Sequence, residues 1–494
     1  MDTTCTKNKY LVLYKMGNIK GTKRNKKISR YNLHKKRNNT SRKQANITHK
    51  NKGRSKRGGE AIASGGFGCI FKPALKCKGK SYRTNGISKM SLTKFGQHEM
   101  IEIEGIRKKL KKVKSYQKYY LLDVDMCKPD KLTKEDMKNF DKKCYALTRH
   151  NINEKNVNNT LGKLTVLNMP DAGIDLMDWL IINNKITKKK IVLLNEIVIK
   201  LIQHGVRPMN DAGVIHNDLK DTNILIDRNL DARIIDWGLS GVVSSNRIPP
   251  EIMDRPLQFN TPFSSRILSE DFKTNYNNFL QSVKNDVILF NRTNVRNYVI
   301  NHYLIKNANS DKSVDDNISV FNMIFSRGIS EDTFLSKDKK DSLVEYGYYM
   351  YYLSNYLTDI LMKYTNSSME FDMNRYFREC YLYNSDIFGL MTVYYNFFGV
   401  KIEDIELPDK IKNVYLNRIR SLLVEHLYSN GGEKINIKTL VDNIKELNDF
   451  LKADNVFSLS ALPSTKRNYS INNDINLSPI TVTNVGSNSS SYDE

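Results

Sequence analysis

The sequence predicts an α+β fold: a small strand-rich part with one helix, followed by a larger, mainly helical part. Three observations carry this. Short apolar runs flanked by glycine recur at Ala61–Ala63, Cys69–Phe71 and Gly86–Met90. Within Phe95–Val113 the apolar residues Ile103, Ile106, Leu110 and Val113 stand at helical spacing. From about Pro262 to Leu451 the hydrophobic period is mostly helical.

In chain order, Tyr119–Val124 and Leu164–Met169 return to strand-like runs after that helix. Ile174–Ile182 and Lys190–Asp211 predict the clearest helices, and two short strands follow at Ile224–Ile226 and Arg233–Ile235. A cleft between a strand-rich and a helical part is a common place for a ligand.

At 494 residues, with 40% hydrophobic residues, the chain can build a sizeable core, which excludes a fibrous repeat, a disulfide scaffold and a wholly disordered chain. The net charge of +25 points to an acidic partner or substrate, but it is unevenly spread. Residues 1–57 carry 19 Lys or Arg against Asp2 alone. They predict a disordered basic arm suited to nucleic acid or an acidic partner, and equally a solvated tail without a role. Residues 461–494 predict a second, Ser/Asn-rich flexible tail, leaving 58–460 as the folded part. Cys5, Cys69, Cys77, Cys127, Cys144 and Cys380 show no metal spacing and read as reduced, intracellular thiols. No apolar run is long enough for a transmembrane helix.

Four motifs carry chemistry. In Ile62-Ala63-Ser64-Gly65-Gly66-Phe67-Gly68-Cys69-Ile70 the glycines let backbone N–H groups approach a phosphate, although taken alone this stretch is better explained as a plain hairpin. Lys89, late in the Gly86–Met90 strand, is placed to hold phosphates beneath that turn, or is an exposed strand lysine. His216-Asn217-Asp218-Leu219-Lys220-Asp221-Thr222-Asn223 sets a carboxylate, an ammonium and an amide between apolar flanks. There Asp218 can accept a hydroxyl proton, Lys220 can neutralise a transferring phosphoryl group and Asn223 can offer an oxygen to Mg²⁺. Asp236-Trp237-Gly238, after a buried strand, suits a metal-binding carboxylate.

In this order the four motifs resemble a eukaryotic-type protein kinase over about residues 58–265, with Trp237 where the family has Phe. The resemblance implies a bilobal protein-kinase-like fold, with a small antiparallel β-rich lobe over about 58–170 and a mainly α-helical lobe over about 171–460. Lys220, two residues after Asp218, resembles serine/threonine rather than tyrosine kinases. The glycine-rich segment, Ile-Ser-Lys-Met and the later Arg255-Pro-Leu-Gln-Phe-Asn-Thr-Pro-Phe263 are similar to kinases of giant DNA viruses. Host cytoplasm, virion or nucleus then become the expected locations.

The resemblance also implies roles. Ile62 to Gly68 cover the phosphates of ATP, and Ile70 lies over adenine. Lys89 pairs the α- and β-phosphates and is held by Glu102, with Glu99 and Glu104 as rivals. Asn168-Met169-Pro170-Asp171 form the hinge, with Met169 at adenine, and Asp175 reaches the ribose. Asp218 and Lys220 are catalytic, and Asn223 and Asp236 hold Mg²⁺.

The chain departs from the family at Ala63, where a glycine is usual, and at Asn217, where an arginine normally meets a phosphorylated activation loop. Pro249-Pro250-Glu251 is the candidate for the Ala-Pro-Glu that closes the activation segment, and insertions are expected near Cys127–Asn159 and within Leu268–Lys340. Three functions stay open: a protein serine/threonine kinase using ATP and Mg²⁺, a small-molecule kinase of related fold, and a kinase-like scaffold anchored by the basic arm.

Overall fold

The computed structural model describes residues 59–79, 86–182, 185–243, 247–253, 255, 257–301, 320–321, 324, 348–399 and 404–453. The basic arm 1–57, the tail 461–494 and part of the insertion expected within Leu268–Lys340 lie outside them.

Strands β1 (Glu60–Ser64), β2 (Gly68–Lys72), β3 (Gly86–Leu92), β4 (Asp125–Cys127) and β5 (Leu164–Pro170) form one antiparallel sheet in the order β1-β2-β3-β5-β4. Period-two alternation sets β3: Ser88 and Met90 are fully buried on one face, so Lys89 is on the other, between Ile70 and Leu167. Helix α1 (Thr93–Leu110) follows at once and buries Ile103, Ile106 and Leu110, the residues whose spacing predicted it. Arg107, Lys108 and Lys109 in its last turn suit the negative end of the helix dipole.

The strand expected at Tyr119–Val124 is not formed. Tyr116–Tyr119 makes one helical turn and Tyr120 only an isolated parallel bridge to Ile234. Pairing starts later, at β4. The apolar residues there are buried by the helical part of the protein rather than by a sheet. Tyr120 Oη donates to the Gly205 carbonyl at 2.7 Å, and Arg107 donates to the carbonyls of Leu122 and Val124 in place of a neighbouring strand.

Lys190–Asp211 is helical as expected, but in three parts. An α-helix, Lys188–Lys200, runs into a π-helical turn, Leu201–Val206, and a short α-helix, Arg207–Asp211. Pro208 lacks the N–H that a continuous α-helix needs there. Further on, Glu270–Lys284, Tyr348–Tyr364, Leu382–Met391, Asp409–Leu423 and Ile437–Lys452 confirm the helical reading. Their buried side chains form a large apolar cluster that also takes in Ile103, Leu110 and Trp237.

A second, smaller cluster joins the outer part of the sheet to the inserted segment after β4. Ala61, Phe71, Met90 and Val166 of the sheet meet Phe140, Leu147 and Val157. Short helices Lys134–Met137, Phe140–Lys143 and Tyr145–Thr148 build the insert. Disulfides Cys69–Cys144 and Cys77–Cys127 fasten this region. These two bonds overturn the expectation of reduced thiols, and the argument for an intracellular location that rested on it. Spacing along the chain does not show that the insert folds back on the sheet and brings residues 75 and 50 positions apart to Cα separations of 5.2 and 5.7 Å. Cys380 is a buried free thiol, and Cys5 lies outside the described residues. Among the described residues no helix is long and apolar enough to cross a membrane.

Candidate active site

The Gly65–Gly68 turn closes the β1–β2 hairpin, with Gly65 N donating to the Gly68 carbonyl at 2.9 Å. Gly68 sits in a tight place: a Cβ there would meet the Met90 carbonyl at 3.0 Å and Lys89 Cγ at 3.1 Å, and its neighbours would have to give by a few tenths of an ångström. Ile62 and Ala63 are exposed, Ser64 and Ile70 half-buried, and Phe67 sets its ring 5.2 Å from that of Phe95. The insert grips this turn. Arg149 Nη2 donates to the Gly66 carbonyl at 2.8 Å, and Ala146 N to Ser64 Oγ at 3.0 Å.

Below the turn, Lys89 Nζ is 2.7 Å from Glu99 Oε1 on α1. Glu102, the expected partner, is not the residue that holds it. One helical turn further on, it pairs with the exposed His98 instead, at 3.2 Å. Both glutamates lie near the same face, and hydrophobic spacing carries no information about which carboxylate reaches the lysine. Burial pulls the Lys89 ammonium down, but Glu99 and Asp236 more than offset this and keep it charged. Glu102 behaves in the opposite way. Burial, then Glu99 and Glu251, push its carboxyl up to about 7. Glu251 is exposed, and its charge acts on Glu102 of α1.

The residues expected to form the hinge lie at the end of β5 and just after it. Asn168, Met169 and Pro170 remain in β5, opposite Ser88, Ile87 and Gly86, because β3 extends far enough to pair with them. The Asn168 side chain is buried, accepts from Ser88 Oγ and donates to Cys77 Sγ at 3.1 Å. The chain leaves the sheet at Asp171, which pairs with Lys72 at 2.6 Å. Gly173 makes the bend at φ +108°, where a Cβ would overlap the Ile226 carbonyl. Asp175 caps the following helix, Leu176–Ile181, accepting from Asp178 N at 2.8 Å. Burial raises its carboxyl above the ordinary range.

The loop after Val214–Ile215 brings the sequence-predicted groups together around Asp218. Lys220 Nζ and Asn223 Nδ2 donate to its Oδ2 at 2.8 and 3.0 Å. Arg255 Nη2 and Asn260 Nδ2 donate to its Oδ1 at 3.1 and 3.0 Å. Burial pushes this carboxyl up, but Lys220, Arg255 and Asn260 together hold it below the usual carboxylate range. It is therefore an ionised acceptor.

Asp236 has φ +66° and Asn217 φ +60°, left-handed conformations that cost about 1–3 kcal/mol each unless their surroundings fix them. The surroundings do. His216 Nε2 meets the Ile235 carbonyl at 2.9 Å, and the His216 and Trp237 rings lie 4.9 Å apart. The Trp237 indole N–H donates to the Leu121 carbonyl at 3.3 Å, a bond that a phenylalanine there could not make.

The donors suit Mg²⁺ with a nucleotide. Asn223 spends its amide N–H groups on Asp218, which leaves its carbonyl oxygen as a hard ligand, and among the described residues the Asp236 carboxylate accepts no hydrogen bond. Among the described residues no group of three or more His, Cys, Asp or Glu is placed to hold a metal ion.

Sequence reasoning missed three residues. Arg255 was noted only as part of a motif, and Asn260 had no assigned role. Asp386 is fully buried in Leu382–Met391 and accepts from Asn210 Nδ2, His216 N and Asn217 N at 2.8, 2.9 and 2.7 Å. A lone carboxylate in an otherwise buried helix was the available signal.

Residues 155–256 match the family model of the protein kinase domain, a span from ahead of β5 through the Asp218 loop to the Arg255 region. With the antiparallel sheet and the helices already described, the match fits a kinase-like α+β fold. The match supports a protein kinase domain over residues 155–256, and such a domain implies ATP and a protein substrate.

Proposed function

We propose that the chain is an ATP- and Mg²⁺-dependent protein serine/threonine kinase of the kind found in giant DNA viruses, with the β-rich part as the small lobe of a bilobal domain. The observation that carries this is the engagement of Lys89 by Glu99 from α1 together with the influence of Asp236 on the same ammonium. Phosphoryl transfer requires a strand lysine held by a helix glutamate and a metal-binding aspartate in place at once. The serine/threonine preference is supported by Lys220 on Asp218 Oδ2.

Lys89 orients the α- and β-phosphates, and the Gly65–Gly68 turn covers them. Asn223 and Asp236 would hold the metal, which when bound would neutralise phosphate charge. Asp218 accepts the proton of the substrate hydroxyl as that oxygen attacks the γ-phosphorus, and the bond from the γ-phosphorus to the β,γ-bridging oxygen breaks, so that ADP leaves with that bond's electron pair. Lys220 stays beside the carboxylate and stabilises charge on the transferring group.

The test is transfer of labelled γ-phosphate from Mg-ATP to mixed Ser/Thr protein substrates, with Asp218→Asn and Asp236→Ala beside the wild type. Label on Ser or Thr that both variants lose supports the proposal. Label on small alcohols alone indicates a small-molecule kinase, and nucleotide binding without transfer indicates a scaffold. Residues 1–57, with the nucleic-acid or acidic partner expected of them, lie outside the described structure.

A further inference from the structure

Resting on the phosphotransferase reading above, we propose that Arg255 is the positioning residue of the Asp218 carboxylate, fixing it from the activation segment without a phosphorylated loop. The Arg255–Phe263 stretch has a sequence resemblance but no role in the chemistry so far. In the structure it turns back on itself, with Gln258 N donating to Thr261 Oγ1 at 3.0 Å and Thr261 Oγ1 to the Gln258 carbonyl at 2.9 Å. This turn presents two donors to one atom, Asp218 Oδ1: Arg255 Nη2 at 3.1 Å and Asn260 Nδ2 at 3.0 Å. Asn260 also donates to the Leu219 carbonyl at 3.0 Å, and Arg255 to Gln258 Oε1 at 3.1 Å.

A carboxylate has about four lone-pair sites. The loop's own Lys220 and Asn223 serve Oδ2, whereas among the described residues the side-chain donors to Oδ1 are Arg255 and Asn260. The carboxylate plane is therefore set from two independent segments. The pair is dry, with the Arg255 and Asp218 side chains 5% and 7% exposed. The Nε and Nη1 of Arg255 are buried and have no partner among the described residues. A half-satisfied buried guanidinium is a poor stabilising device, which favours orientation of Asp218 as its role. Asn217, just before Asp218, brings no charge, and its side chain accepts from Tyr381 Oη at 3.4 Å. The cation beside the carboxylate from outside the loop is thus Arg255.

Arg255→Gln, Arg255→Lys and Asp218→Asn are compared with wild type by steady-state phosphotransfer, with ADP affinity and Tm measured on each. The expected result is a kcat lower by roughly 10- to 100-fold for Arg255→Gln, with KM for ATP within about two-fold of wild type. Arg255→Lys is expected between the two, and Arg255→Gln is expected to add nothing to Asp218→Asn, because it acts through that residue. Unchanged kcat overturns the proposal. So does a rise in kcat, which marks an inhibitory contact, or a parallel loss of ADP affinity, which marks general disruption. If Arg255→Gln does not fold, Arg255→Lys decides: kcat below wild type at unchanged KM supports positioning, and wild-type kcat overturns it. A wild-type protein that binds ADP but transfers no phosphate overturns the kinase reading itself, and this inference with it.

Discussion

Asp386→Asn isolates the buried anchor under the Asp218 loop. Its Oδ2 accepts from Asn210 Nδ2 and His216 N, and its Oδ1 from Asn217 N. The best orientation of an asparagine keeps the two bonds on the Oδ2 side and turns its amide N–H toward the Asn217 N–H. One buried donor is then left unsatisfied, costing about 1–3 kcal/mol, and two charge-assisted bonds become neutral ones, each weaker by about 1 kcal/mol. Burial raises the Asp386 carboxyl, so removing its charge returns part of that cost. A net destabilisation of about 2–3 kcal/mol remains. For a folded part of about 400 residues this lowers Tm by roughly 3 °C. The functional effect should exceed the thermal one. Asn217, held at φ +60° partly through its N–H bond to Asp386, relaxes and displaces the neighbouring Asp218. A displacement of about 1 Å at such a group can cost roughly 100-fold in rate. Differential scanning fluorimetry with and without ADP, beside single-turnover transfer, reads both effects. A variant with wild-type Tm and wild-type rate would refute the reasoning, because a carboxylate with three buried N–H donors would then be dispensable.

Glu99→Gln should lower kcat/KM by roughly 10- to 100-fold, whereas Glu102→Gln should stay within about two-fold; the reverse order would mean that Glu102 is the true partner of Lys89. Glu102 has a carboxyl raised from 4.5 to about 7, so the folded state binds more protons than the unfolded one between these values and stability falls as pH rises through that window. After discounting for partial solvent screening, Glu102→Gln should gain on the order of 1 kcal/mol over wild type at pH 8 and little at pH 4; parallel urea-unfolding curves at the two pH values test this, and an equal difference at both would count against it. Peptide mapping without reductant should recover Cys69 joined to Cys144 and Cys77 joined to Cys127, with Cys380 alkylated only after unfolding. Four freely alkylated cysteines in place of those two bridges would contradict the fold of the insert.

The sequence alone determined the secondary elements and the loop chemistry wherever local periodicity or close spacing was enough. The β1–β2 hairpin, β3 with Lys89, helix α1 and the residues Asp218, Lys220 and Asn223 were legible because each depends on neighbours a few positions away. Side-chain alternation and a polar cluster between apolar flanks are local signals. Tyr119–Val124 misled because burial by a distant helical segment imitates the apolar run of a strand. The tertiary structure decided whatever depends on approach between distant segments. Glu99 rather than Glu102 reaches Lys89 because of how α1 lies against β3. Cys69 pairs with Cys144 because the insert folds onto the sheet, and Cys77 with Cys127 because the loop after β2 runs beside the end of β4. The surroundings of Asp218 are completed by Arg255, Asn260 and Asp386, residues 37, 42 and 168 positions away from it in the chain. Sequence records the donors and acceptors, but hydrogen bonds have a reach of about 3 Å, and only packing brings such distant groups within it.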